Sequence, residues 1–256
     1  MIGVKKMVSP LLRTRALNKS FGGIVATKDL SIEIFEGQIC AVIGPNGAGK
    51  TTLVNLLSGN LRADSGDIIF EDDNVTGLSP SALCSRGIAR SFQITSIFPE
   101  FSLLENVCFS VQASLGHSFH FWKDVRADER VINPAKEVLE RIGLLSRANV
   151  LAGNLAHGEK RQLEIAMVLA TRPKLLLLDE PMAGMGAEES RHLVTLLNEL
   201  RSDYSMLLVE HDMDAVFALA DKITVLVYGK SIAEGKPSEI KVNNAVLEAY
   251  LGSSES

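Results

Sequence analysis

The chain has 256 residues, 46% of them hydrophobic and 22% charged, with a formal net charge of −5. That mixture excludes a disordered chain, a collagen and a coiled coil, and the length suits one large domain or two small ones that fold without disulfides or metals. The mild acidity weighs against nucleic acid as a partner, because that role calls for a concentrated basic face.

The first twenty-odd residues carry charge ahead of apolar positions but lack the continuous apolar stretch of a signal peptide. No apolar run along the chain approaches the ~20 residues that span a bilayer. The opening reads as strands: Leu30–Phe35 alternates apolar and polar residues, as a half-exposed strand does. Glu36-Gly37 then turns the chain into Gln38–Ile43, an apolar run of strand length that should be buried. Gly44 to Gly49 is a glycine-rich loop, and Lys50 onward reads as a helix, with Leu53, Leu56 and Leu57 at i, i+3 and i+4. Residues 94–165 read as a mostly helical insertion. Within it Asn133 has the character of an N-cap with Pro134 at the first helical position, and Val138, Leu139, Ile142 and Leu145 make one apolar face. Residues 110–132 are irregular, with Phe119, Phe121 and Trp122 among charged and histidine neighbours.

From 159 the α/β rhythm returns. Leu163, Ala166, Met167 and Ala170 mark a helix, Leu175–Leu178 a buried strand, 187–202 a helix, Met206–Val209 a strand and Asp212–Ala220 a helix. Ile223–Tyr228 and Ser231–Ala233 pair as a hairpin through Gly229-Lys230, and a short helix over 237–251 closes the chain. Strands alternating with helices imply an α/β fold with a mostly parallel core and antiparallel strands at its margin, a single domain over 8–253. Cys40, Cys84 and Cys108 form no C-x-x-C pair and read as reduced thiols serving as small core residues.

Gly44-Pro45-Asn46-Gly47-Ala48-Gly49-Lys50-Thr51 satisfies the G-x-x-x-x-G-K-[ST] phosphate-loop pattern in full. Glycines let successive backbone N–H groups curl around phosphate oxygens, and the helix that follows offers its own free N–H groups to the same anion. Lys50 adds a full charge at the β- and γ-phosphates, the Thr51 hydroxyl suits Mg²⁺, and Thr52 is a further phosphate donor. Leu175–Leu178 delivers Asp179 and Glu180 to the C-terminal end of a central strand, where α/β ligand sites lie. There Asp179 suits a water-mediated contact to Mg²⁺, and Glu180 a general base for the attacking water.

Leu155-Ala156-His157-Gly158-Glu159, one helix upstream of that strand, resembles the signature motif of ATP-binding-cassette (ABC) ATPases, usually Leu-Ser-Gly-Gly-Gln. Gln93 in Arg90-Ser-Phe-Gln resembles the Q-loop glutamine of that family, and His211 in Val209-Glu-His-Asp its switch histidine. Phe21 stands where the family stacks an aromatic on adenine. The resemblance implies the fold of a P-loop NTPase ABC cassette, with an antiparallel β-subdomain at its N-terminal side and a helical subdomain over about 94–165. It also implies ATP hydrolysis with Mg²⁺, held by Thr51, Gln93 and Asp179, and catalysed by Glu180, His211, Lys50 and Gln93. Two cassettes would sandwich each ATP, with Ala156, Gly158 and Glu159 facing the nucleotide on the partner's phosphate loop.

Two departures stand out: Ala156 replaces the usual serine, and Gly186 stands where the family's D-loop has aspartate. The stretches Leu155–Glu159, Asp179-Glu-Pro-Met-Ala-Gly-Met-Gly, Glu210-His-Asp-Met-Asp and Glu248-Ala-Tyr-Leu-Gly resemble ATP-binding subunits of branched-chain amino acid importers, and come close to those of urea and short-amide importers. The implied partners are two membrane-spanning permease subunits, a periplasmic or extracellular substrate-binding protein and a second, paralogous or identical cassette, with no nucleic acid. The implied place is the cytoplasmic face of the cell membrane, with Phe98, Pro99 and Phe101 in the groove that receives the permease. A lipid or lipopolysaccharide exporter ATPase is the less favoured alternative, since its signature keeps the serine. A soluble ABC protein acting on DNA or ribosomes would want a coiled coil or basic patches, and a kinase would have no use for Gln93, Leu155–Glu159 and His211 together.

Overall fold

The computed structural model describes residues 9–91, 97–115 and 128–251. Its centre is a six-stranded sheet in the order β11-β10-β4-β9-β8-β7, where β4 is Ile39–Ile43, β7 Ile88–Ser91, β8 Leu175–Asp179, β9 Ser205–Val209, β10 Lys222–Val227 and β11 Lys230–Gly235. Every pairing is parallel except β10 with β11. β4, β8 and β9 are buried along their whole length, which is why they read as continuous apolar runs rather than alternating ones. Successive side chains then serve opposite faces. Ile39, Ala41, Ile43, Leu176, Leu178, Met206 and Leu208 pack under the helices, whereas Cys40, Val42, Leu175, Leu177, Leu207 and Val209 pack toward a second, antiparallel sheet.

That second sheet has the order β2-β1-β5-β6, from β1 (Leu12–Phe21), β2 (Ile24–Leu30), β5 (Ser65–Phe70) and β6 (Asp73–Asn74), with β3 (Glu33–Ile34) also on β1. Helix α1 (Lys50–Leu57) lies between the sheets and buries Leu53, Val54, Leu56 and Leu57. Helix α2 (Pro80–Arg86) follows, capped by Ser79, whose side chain accepts from the Ala82 N–H. The helical arm holds α3 (Leu103–Ser114), α4 (Glu129–Arg141) and α5 (His157–Leu169). Beyond it come α6 (Ala187–Leu200), α7 (Met213–Leu219), α8 (Pro237–Ile240) and α9 (Asn244–Leu251). Among the described residues no helix is long and apolar enough to cross a membrane.

Several local expectations are corrected. The strand expected over Leu30–Phe35 is broken, because the Thr14 hydroxyl donates to the Leu30 carbonyl and accepts from the Ile32 N–H, replacing ladder bonds there. Helix α4 begins one turn earlier than Asn133-Pro134, since the Asp128 carboxylate accepts from the Arg130 N–H and Val131, Ala135, Leu139 and Ile142 supply the buried face. Pro134 therefore sits inside the helix and leaves the Arg130 carbonyl without its i+4 donor. Leu145 lies in a separate 3₁₀ turn, 36% exposed. The β10–β11 turn is Tyr228-Gly229, not Gly229-Lys230; both residues have positive φ (47° and 76°), as the turn that matches strand twist requires. The closing helix over 237–251 is two helices, since Asn243 restarts the chain by accepting from the Val246 N–H. Phe119, Phe121 and Trp122 lie outside the described residues.

Candidate functional site

The parallel register sets the site. Val42 on β4 pairs with Val209 on β9, and Val209 pairs with Asp179 on β8, so three neighbouring strands end level. From those ends emerge the loop Gly44–Gly49, the pair Glu210-His211 and the pair Asp179-Glu180. The topology thus gathers the phosphate-loop, strand-end acid and histidine candidates on one edge.

In the loop, Gly44, Gly47 and Gly49 all have positive φ (152°, 78° and 104°). A Cβ on Gly44 would stand 2.1 Å from the Leu226 carbonyl oxygen, and one on Gly49 would stand 2.1 Å from that of Ala26. Close backbone approach, together with φ, demands glycine at both. Pro45, Asn46 and Gly47 are partly or fully exposed, whereas Ala48 is buried and its carbonyl accepts from the Gly229 N–H. Among the described residues no backbone acceptor meets the N–H groups of Lys50, Thr51 and Thr52, the first turn of α1. That is the donor array an anion needs. Lys50 is 7% exposed and folds back, its Nζ donating to the carbonyls of Gly44 (2.7 Å) and Pro45 (3.1 Å). Burial lowers its pKa, against the opposing pull of Glu180 and Asp179.

Asp179 is fully buried. Its Oδ2 accepts from Arg90 Nη2 at 2.8 Å, while Oδ1 has no hydrogen-bond partner among the described residues. Burial raises its pKa, and the Arg90 guanidinium pulls the other way. Glu180 follows with φ 48° and donates its N–H to Val209 O at 2.8 Å. Glu210, also fully buried, is the brace of this edge: its carboxylate accepts from the N–H groups of Met182 (2.7 Å), His211 (3.0 Å) and Asp212 (3.4 Å). The His211 side chain is largely exposed, with Nδ1 3.9 Å from Glu210 Oε2.

Phe21 ends β1 and is 47% exposed, with Lys19 Nζ 5.6 Å from its ring centre. Its hairpin partner β2 meets the loop at Ala26, whose carbonyl abuts both Gly49 and Gly229. The signature residues lie elsewhere. Among the described residues, the side-chain hydrogen bonds made at Ala156, His157, Gly158 and Glu159 run to one another and to Arg147, Ala183 and Glu189, not to the chain's own phosphate loop. The Gly158 N–H donates to Glu189 Oε1 at 3.3 Å, and Glu159 pairs with Arg147 and accepts from the Ala156 N–H. Gln93 lies outside the described residues.

Three charged residues of this region escape sequence reasoning. Arg161 on α5 donates to the carbonyls of Asp179, Glu180 and Pro181 at 3.1–3.2 Å. Glu210 and Arg90 are the others. The only available signal is sequence adjacency, of Glu210 to His211, of Arg90 to Gln93 and of Arg161 to Glu159, and adjacency does not distinguish a brace from a solvated charge.

A family model described as "ABC transporter" matches residues 27–183, and one described as "Branched-chain amino acid ATP-binding cassette transporter" matches 230–256. The high-affinity branched-chain amino acid transport ATP-binding protein LivG of Escherichia coli (strain K12) is 39% identical over 253 residues, 96% of this chain and 99% of that one. Its counterpart BraF of Pseudomonas aeruginosa is 36% identical with the same coverage. The solved ADP conformation of MJ1267, an ATP-binding cassette of an ABC transporter, superposes with a TM-score of 0.85 at 31% identity, over 95% of this chain and 99% of that one.

Proposed function

The chain belongs to the ABC transporter family of ATP-binding cassettes, and from that premise we propose that it is the ATP-hydrolysing subunit of a membrane importer for branched-chain amino acids. The observation that carries the reading is the meeting of the phosphate loop, Asp179-Glu180 and Glu210-His211 at three level strand ends. The match over 230–256 and the names of the relatives favour branched-chain amino acids over urea, short amides or a lipid.

In this reading adenine stacks on Phe21 and the triphosphate lies over the N-terminus of α1. The backbone of Gly44, Pro45, Asn46, Gly47, Ala48 and Gly49 wraps the phosphates, joined by Lys50, Thr51 and Thr52. Lys50 exchanges the carbonyls of Gly44 and Pro45 for β- and γ-phosphate oxygens. Glu180 takes the proton of a water that attacks the γ-phosphorus in line; the bond to the β–γ bridging oxygen breaks, and ADP and phosphate leave. His211 and Gln93 orient that water and the γ-phosphate. Thr51, Gln93 and Asp179 are the residues that would hold Mg²⁺, and the buried Oδ1 of Asp179, unpaired among the described residues, supports the fit. When bound, Mg²⁺ neutralises charge on the β- and γ-phosphates. Ala156, Gly158 and Glu159 meet the nucleotide of a second cassette. The pair docks at the cytoplasmic face of the membrane beneath two permease subunits, served by an extracytoplasmic substrate-binding protein.

The test is a pull-down of tagged Glu180→Gln with ATP from gently solubilised native membranes, paired with leucine uptake in cells lacking the chain. Glu180→Gln should bind ATP and hydrolyse it at least about 100-fold more slowly. It should retain two polytopic membrane proteins and a second cassette. Loss of urea uptake with leucine uptake intact would overturn the substrate, and parental turnover would overturn the base.

A further inference from the structure

We infer that Arg90 is a positioning residue of the ATPase site, which holds Asp179 against α1 and keeps one carboxylate oxygen clear of protein bonds. The inference rests on the reading of Asp179 as a magnesium-site residue.

Arg90 lies on β7, the edge neighbour of β8, in register with Leu177. Its side chain is 10% exposed and splits its two terminal nitrogens between two elements. Nη2 donates to Asp179 Oδ2 at 2.8 Å. Nη1 donates to Asn55 Oδ1 at 2.5 Å and reaches Ser58 Oγ at 3.3 Å. Asn55 is on α1 and Ser58 closes it, so one planar guanidinium ties the strand that delivers Asp179 to the helix that begins at Lys50. A lysine, with a single compact ammonium, cannot span both partners in that fork geometry.

The pair is poorly built for stability alone. A fully buried carboxylate beside a guanidinium adds little unless every polar atom is satisfied. Here Asp179 Oδ1 and Arg90 Nε both lack hydrogen-bond partners among the described residues. Occupying Oδ2 while leaving Oδ1 unbonded fixes the rotation of the carboxylate. Groups behind a metal-site carboxylate typically change metal affinity 10- to 100-fold when removed.

The measurement is retention of Mn²⁺, a paramagnetic substitute for Mg²⁺, by the ADP-loaded chain, read from the electron paramagnetic resonance signal of free Mn²⁺. Arg90→Met should weaken retention about tenfold or more, with ADP binding in EDTA within about twofold of parental. Arg90→Lys should recover only part of the loss. Asn55→Ala, which removes the α1 anchor but leaves both charges, should weaken Mn²⁺ in the same direction and covers the case in which Arg90→Met does not fold. Asp179→Asn separates the two levels. If it loses Mn²⁺ while the Arg90 and Asn55 variants retain it as the parent does, Arg90 is structural and the inference falls. If Asp179→Asn also retains Mn²⁺, the reading of Asp179 falls first.

Discussion

Glu180 shows how strain is held at the scale of one residue. Its left-handed backbone costs a non-glycine residue on the order of 1–3 kcal/mol, and the hydrogen bond to Val209 on the neighbouring strand keeps it there. Gly49 is the opposite case, a residue whose lack of a Cβ lets β2 close on the phosphate loop. Gly49→Ala should destabilise the fold by more than ~1 kcal/mol and weaken ATP binding, seen together as a lower urea midpoint and a raised dissociation constant. Cys40 carries a pH dependence. Burial pushes its thiol from 9.0 up to about 12, so the folded state holds that proton more tightly than the unfolded one. The resulting stability is complete below pH 9 and is lost as pH rises from 9 toward 12. Urea titrations at pH 7 and pH 10.5 should show a smaller alkaline loss in Cys40→Ala than in the parent.

Among the elements, α4 carries the clearest internal conflict. Pro134 inside it removes one hydrogen bond and typically costs ~3 kcal/mol, yet the apolar face Val131, Ala135, Leu139 and Ile142 keeps the helix whole. Pro134→Ala should therefore raise the melting temperature, by a ΔΔG of about 1–3 kcal/mol, with ATP turnover unchanged. A lowered melting temperature would mean that the proline relieves a bend the arm requires. The misplacement of this helix start has a plain cause. Asn-Pro is a strong local start signal, but Asp128 one turn upstream is an equal one, and burial of Val131 decides between them. The elements α1, β4, β8 and β9 are legible because their apolar patterns match one period over their whole length. Helix α2 carries start and stop signals too, with Ser79 as its cap, Pro80 at its first position and Gly87 after it, but it is too short for a periodic apolar face and goes unassigned in the sequence reading. The break in the strand near Ser31 is not legible, because it depends on the Thr14 hydroxyl more than a dozen residues away.

For the whole molecule, two sheets enclose α1 in one apolar cluster, and the helical arm with α6 and α7 forms a second cluster on the opposite face of the parallel sheet. On the arm, Phe98, Phe101 and Phe109 stack edge to face with ring centres 5.1–6.1 Å apart. Phe98 and Phe101 remain 47% and 40% exposed, so they serve the arm's packing and still present aromatic surface. Phe98→Asp should impair leucine uptake and recovery of the permease subunits while leaving ATP affinity within about twofold. Undiminished uptake would assign these rings to packing alone. The signature end of α5 lies against 183–189 and not against its own phosphate loop. That separation suits a site completed across two cassettes, and it follows from chain topology rather than from any local motif.

The sequence by itself determined the class of chemistry, since a phosphate loop, a strand-end acid pair and a strand-end histidine each need only short-range residue types at fixed spacing. It also determined the central strands, because a buried parallel strand has no polar face to confuse the pattern. Only the tertiary structure decided which charges brace other elements. Arg90, Arg161 and Glu210 look like surface charges in one dimension and become connectors, Glu210 fully buried and the arginines largely so, once β7, α5 and β9 pack together. Burial and hydrogen-bond partnership are properties of neighbours distant in the chain, and local spacing carries no information about them.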